Sequence, residues 1–209
     1  MSENEGANDE KEIKVILLGE MGTGKTSLIS TAIGKEFQEK LDSTITNSIM
    51  TKSMKIEDKI YTINLWDTIG QEKYRSLTKI FIKGAKIVIF VYDITNAQSF
   101  KELNFWIESA EELINEKTIM GIVGNKSDLF VKEEVDETQA RKFASDKGYE
   151  FALTSAKNPA LFCGFLENLI KKYLGLEIDD FISNQDNKEQ KGKRLSNQKN
   201  KKNGKKNCC

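Results

Sequence analysis

The sequence predicts an α/β fold in which a largely parallel sheet is covered by helices on both faces. Two observations predict it. Short apolar runs of strand type alternate with longer runs of helical period between residues 13 and 174. Hydrophobic residues make up 38% of the 209, with 11 Phe and 2 Trp, enough to fill one core of ordinary size with a polar tail outside it.

The elements follow in order. Ile13–Gly19 (IKVILLG) reads as a buried strand, since Val15–Leu18 is unbroken. It runs straight into a glycine-rich loop, GEMGTGKTS, and a helix. Tyr61–Trp66 alternates as a half-buried strand does, and Lys86–Asp93, Thr118–Asn125 and Tyr149–Ser155 repeat the strand signal. Between them, Phe100, Leu103, Trp106, Ile107, Ala110, Leu113 and Ile114 recur at helical spacing. The run 136–148 opens on Asp136 and Gln139 at capping-box spacing and closes on Gly148. Phe162, Phe165, Leu166, Leu169, Ile170 and Tyr173 form a last apolar stripe. After Leu174 the period fades, and from Ser183 onward Asn, Gln, Lys and Gly cannot bury enough surface to order themselves.

Three segments are therefore expected: an acidic flexible N-terminus at 1–11, a folded domain at 12–175, and a basic tail at 176–209. The formal net charge of zero conceals this division. Glu3, Glu5, Asp9, Glu10 and Glu12 face only Lys11 at the start, whereas nine Lys and Arg face only Glu189 from Asn187 onward. The first residues show neither the basic nor the apolar region of a secretion signal, and no Gly follows Met1 to accept a myristoyl group. Three cysteines without such a signal argue for the cytosol rather than a disulfide framework.

Chemistry is carried first by the loop after the first strand. Gly19, Gly24, Lys25 and Thr26 have the G-x-x-x-x-G-K-[ST] spacing. Glycines let the backbone of Gly22, Thr23, Gly24 and Ser27 wrap closely around phosphate, with the helix N-terminus behind it. Lys25 then reaches the β/γ oxygens and the Thr26 hydroxyl ligates Mg²⁺. By itself this fits an ATPase or a nucleoside kinase equally well. The base is decided by Asn125, Lys126 and Asp128, at the carboxyl end of a strand where ligands of such sheets bind. A carboxylate at 128 accepts from the ring N–H and exocyclic amine of guanine, while adenine presents an acceptor there. Ser155, Ala156 and Lys157, after the last strand, offer a backbone N–H to guanine O6.

These motifs resemble those of small GTPases of the Ras superfamily, and within it the Rab family, from Ile13 to Leu174. WDTIGQEKYRSL resembles the second switch of that family, and KGAKIVIFVYDIT the stretch after it. The resemblance implies a P-loop G domain with a six-stranded, mostly parallel sheet flanked by five helices. It implies a GTP/GDP-regulated switch in vesicle trafficking that hydrolyses GTP slowly, with Mg²⁺ as cofactor. Thr44 matches the switch threonine that ligates Mg²⁺, and Asp67 the carboxylate that holds Mg²⁺ through water. Gly70 matches the donor to the γ-phosphate, and Gln71 the residue orienting the attacking water. Lys25, Gly70 and Gln71 are thus the catalytic candidates. Phe37 falls where the family sets an aromatic against guanine, or else is a core aromatic ending the first helix. Expected partners are an exchange factor, a GTPase-activating protein, effectors and a prenylation escort protein. No nucleic-acid partner is expected, because no aromatics interleave the lysines of the tail.

The chain departs from the family in three places. Thr46 and Ile49 replace a glycine and a phenylalanine, so an aromatic surface triad read by effectors survives only as Trp66 and Phe81. Ile69 stands where the family has alanine, and it opens two readings. Either the β-branched side chain is accommodated locally, or it displaces Gly70 or Gln71 and leaves a GTP-binding scaffold with impaired hydrolysis. Met21 and Thr23 vary where the family varies. Lastly, Cys208 and Cys209 resemble a double prenylation signal. Two chains, or one plus a basic patch, hold a membrane where one does not. This implies residence in the cytosol and on the cytoplasmic face of an intracellular membrane. Cys163 reads as a buried small hydrophobe.

Overall fold

The computed structural model describes residues 11–39, 48–68 and 80–177. The chain divides after Leu176 into a unit Met1–Leu176 and a unit Glu177–Cys209, and the sheet and helices belong to the first. The strands are β1 (Glu12–Leu18), β2 (Ser48–Ile56), β3 (Lys59–Asp67), β4 (Ile87–Asp93), β5 (Ile119–Asn125) and β6 (Glu150–Leu153). Complete helices among the described residues are α1 (Lys25–Ala32), α2 (Ala97–Lys101), α3 (Leu103–Glu111), α4 (Glu137–Asp146) and α5 (Pro159–Tyr173), with a 3₁₀ helix at Ser127–Lys132.

The sheet has the order β2-β3-β1-β4-β5-β6. Only β2 runs antiparallel, pairing Ile49 with Trp66 and Lys52 with Ile63 on β3. β1 lies between β3 and β4, and β4 is buried along its whole length. That explains its unbroken apolar sequence, because a central parallel strand covered on both faces has no solvent side to mark. One face packs Leu28 and Ile29 of α1 with Phe162, Leu166 and Leu169 of α5. The other packs Leu103, Trp106 and Ile107 of α3 with Ala140 and Ala144 of α4.

Three elements differ from their sequence signals. The edge strand β2 gave no clean alternation, because its inward positions are Ser48, Met50, Lys52 and Met54 while Ile49 faces out. The single helix read over 99–114 is interrupted at Glu102, which keeps helical angles (φ −69°, ψ −10°). It ends at Glu111, so Leu113 and Ile114 pack from the turn that follows. The last strand stops at Leu153, and Thr154 and Ser155 leave it for the site. As predicted, Asp136 caps α4 by accepting from Gln139 N at 3.0 Å. Gly148 (φ 72°) ends that helix in a left-handed turn. Cys163 is half-buried on α5 rather than fully enclosed, its Sγ 3.9 Å from the Ala32 carbonyl.

Candidate functional site

The phosphate loop begins where β1 ends, and its glycines are dictated by contact. A Cβ on Gly19 (φ 147°) would lie 2.1 Å from the Val91 carbonyl oxygen of β4. A Cβ on Gly24 (φ 90°) would lie 2.4 Å from Asn125 Nδ2. The turn they permit brings Lys25 under the loop, where Nζ donates to the carbonyls of Gly19 (2.8 Å) and Glu20 (2.9 Å). Burial pushes the Lys25 ammonium down to about 8, against the opposing pull of the Asp67 and Glu20 charges. Thr23 is buried and donates from Oγ1 to the Glu20 carbonyl, so its side chain closes the loop from within.

Thr26, in the first turn of α1, donates from Oγ1 to Asp67 Oδ2 at 2.7 Å, linking the helix to the end of β3. Asp67 is 1% exposed, and its Oδ1 has no hydrogen-bond partner among the described residues. Burial raises its carboxyl above the usual range, although the Thr26 bond and the Lys25 charge hold it down. A buried, orphaned carboxylate oxygen beside a hydroxyl fits Mg²⁺. Among the described residues no three His, Cys, Asp or Glu side chains cluster to hold a metal. Mg²⁺ needs no such cage, since one or two carboxylates, water and substrate phosphates suffice.

The base motif sits at the carboxyl ends of β5 and β6. Asn125 is buried, and Nδ2 donates to the Thr23 carbonyl at 2.8 Å, so the two motifs are bonded to each other. Lys126 takes a left-handed conformation (φ 64°) and pairs through Nζ with Asp93 Oδ2 at 2.6 Å. Asp128 accepts from Ser155 Oγ at 2.6 Å and pairs with Lys157 Nζ at 3.0 Å. Burial alone would raise the Asp128 carboxyl, but the bonds from Ser155 and Lys157 and the Lys157 charge bring it below its ordinary value. Phe37 is 39% exposed with Lys157 Nζ 5.6 Å from its ring, so it stands at the site rather than in the core.

Both motifs open into one cleft of about 520 Å³. Gly22, Gly24, Lys25, Thr26 and Ser27 line it from the loop and α1. Asn125, Lys126, Asp128, Ser155, Ala156 and Lys157 line it from the base motifs, with Phe37 beside them. Asp67 and Thr23 are buried and are not among its lining residues. Thr44, Ile69, Gly70, Gln71, Cys208 and Cys209 lie outside the described residues.

Sequence reasoning missed two residues that shape the cleft. Thr68 lines it and donates from Oγ1 to the Leu17 carbonyl at 2.6 Å, tying the end of β3 to β1. Nothing in its sequence setting announces that bond. Asp93 anchors Lys126 and accepts from Thr95 N and Oγ1. Its signal was present, for it is the one charged residue closing an otherwise apolar strand core, Ile87–Tyr92.

Comparison with known proteins points the same way. The family model described as "Ras family" matches residues 14–174. The chain is similar to the Ras-related protein Rab5A of Oryza sativa subsp. japonica, 38% identical over 157 residues, covering 75% of this chain and 77% of that protein. It is also similar to the Ras-related protein RHN1 of Nicotiana plumbaginifolia, 36% identical over 144 residues, covering 69% and 72%. These likenesses support GTP hydrolysis and lend nothing to the alternative of a scaffold with impaired hydrolysis. The chain belongs to the Ras family: it is a Rab-type small GTPase of membrane trafficking, a GTP hydrolase that binds GTP and GDP with Mg²⁺.

Proposed function

We propose that guanine nucleotide occupies the 520 Å³ cleft with its phosphates on the 19–27 loop and its base at Asp128. The observation that carries this reading is the Asn125 Nδ2 to Thr23 carbonyl bond, which fixes the distance between base and phosphate motifs. Lys25 serves the β/γ oxygens, Thr26 and Asp67 serve Mg²⁺ together with Thr44, and Asp128 reads the guanine edge. The main-chain N–H groups of Ser155, Ala156 and Lys157 serve guanine O6, and Phe37 packs against the base. Gly70 and Gln71 act on the γ-phosphate and the attacking water. When GTP engages Thr44 and Gly70, the chain presents an effector surface that hydrolysis withdraws.

That surface includes Ile49, which is 53% exposed and paired across the sheet with Trp66. The Trp66 ring lies 5.6 Å from that of Phe81, so the altered triad is contiguous. Exchange and activating proteins act on the same switch. Lipidation of Cys208 and Cys209, assisted by an escort protein, holds the domain (12–175) through the 176–209 tail on the cytoplasmic face of an intracellular membrane. Among the described residues no helix is long and apolar enough to cross a membrane.

The test is displacement of a fluorescent GDP from the purified chain. GDP and GTP should compete and ADP and ATP should not, and Asp128→Ala should abolish that preference. Equal competition by adenine nucleotides would exclude the base assignment.

A further inference from the structure

We infer that Lys52 is a positioning residue for the nucleotide site, which slows nucleotide release by capping the end of α1 and so fixing the chain that carries Phe37. The inference deepens the nucleotide-site reading and rests on its placement of Phe37 against the base. An α-helix ends on four carbonyls that its own ladder cannot pair. In α1 these belong to Ile29, Ser30, Thr31 and Ala32. The turn that follows takes the first three, through Ile33 N to Ile29 O (3.1 Å), Lys35 N to Ser30 O and Gly34 N to Thr31 O (both 3.0 Å). Gly34 (φ 93°) supplies the left-handed residue on which this turn is built. The fourth carbonyl, on Ala32, accepts from Lys52 Nζ of β2. The Cys163 thiol stands 3.9 Å from the same oxygen, but a thiol is a weak donor and brings no charge.

Lys52 lies on the inward face of β2 between Met50 and Met54, which pack against the core cluster that contains Ala32. A residue that only filled space there would be apolar, as they are. The lysine stem fills that space, and its ammonium meets the negative end of the helix, where a cation is favourable. The bond spans 20 residues of chain and joins α1 to the edge strand of the sheet. Only Glu36 stands between Lys35, the last residue of the capped turn, and Phe37. The place of the Phe37 ring, 5.6 Å from Lys157 Nζ, therefore follows the direction in which the chain leaves the helix. The other end of α1 carries Lys25 and Thr26, so one short helix places both the phosphate groups and the aromatic. Lys52 does not line the cleft and acts through Ala32 and Phe37.

The experiment follows a fluorescent GDP leaving the full chain in Mg²⁺ when unlabelled GDP is added in excess. Lys52→Met keeps the stem and removes the charge and its donors. It should release GDP about two- to fivefold faster, the factor that one favourable charge at a helix end is worth. Phe37→Ala should also release GDP faster. Adding Lys52→Met to it should give no further acceleration, because nothing remains for the cap to position. A lysine that merely stabilised the fold would instead add its effect to that of Phe37→Ala. If Lys52→Met fails to melt cooperatively, Lys52→Gln, which also removes the charge, takes its place with the same expectations. Unchanged release, or accelerations that multiply in the double variant, overturns the inference and leaves the site standing. Phe37→Ala that releases GDP at the wild-type rate overturns the placement of Phe37 on the base, and the inference with it.

Discussion

Gly24 shows how a single hydrogen atom in place of a side chain joins two motifs. Its left-handed backbone (φ 90°) and the 2.4 Å approach to Asn125 Nδ2 leave no room for a methyl group. Gly24→Ala must displace Asn125 from the Thr23 carbonyl and with it the spacing between base and phosphate. We expect GDP affinity to fall at least about tenfold, the cost of roughly 1.4 kcal/mol for losing one buried hydrogen bond and leaving its partner unpaired. Titration with labelled GDP decides it, and unchanged affinity would show that the bridge does not set the site. Lys25 makes a prediction of another kind. Burial lowers its folded-state pKa from 10.5 to about 8, so between those values the unfolded chain binds more protons than the folded one. Nucleotide-free protein should therefore gain stability as pH rises through that window, with the full burial cost in place below it. Lys25→Met should lack that gain in urea unfolding across the same pH window. These residue-scale features were legible in part. The motif spacings named Lys25, Thr26, Asn125 and Asp128 because phosphate and guanine chemistry demands them. The partners Thr68 and Asp93 were not named, since contacts between residues far apart in sequence leave no local pattern.

Among the elements, β5 and α5 approach so closely that glycine is required between them. A Cβ on Gly121 would lie 2.7 Å from the Phe165 ring and 3.3 Å from Leu169. Gly121→Ala should cost about 1–3 kcal/mol through overpacking, and Phe165→Leu in the same chain should return part of it. Chemical denaturation of the single and double variants measures this, and additive losses would show that the two side chains do not collide. The same scale explains which elements the sequence announced. β4 and α5 were clear because burial on two faces, or along one stripe, forces an unbroken or periodic apolar pattern. β2 was obscure because an edge strand needs neither, and Lys52 can face inward by reaching the Ala32 carbonyl at the end of α1. The six-strand count therefore came from family resemblance, not from the residues of β2. The break at Glu102 was hidden for a related reason. Leu103, Trp106 and Ile107 keep one helical stripe facing the core across an irregular turn that stays in helical angles.

For the whole molecule, a neutral sum of charges conceals an acidic start and a basic tail on either side of the folded domain. Nine Lys and Arg follow Asn187 against Glu189, and Cys208 and Cys209 lie beyond them. Each lysine near an anionic leaflet adds about 1 kcal/mol, an attraction that salt screens. A lipid chain adds hydrophobic transfer that salt does not weaken, but one chain alone binds only marginally. The two contributions are separable by ionic strength. Prenylated wild-type protein should stay on anionic vesicles as salt is raised. A single Cys208→Ser or Cys209→Ser variant should bind at low salt and elute at high salt, its lysines then supplying the second contribution. The double variant should not sediment with vesicles at physiological salt, because lysines without a lipid lose most of their attraction once screened. Single variants as salt-resistant as the wild type would mean that one chain suffices and that the basic run serves something other than the membrane.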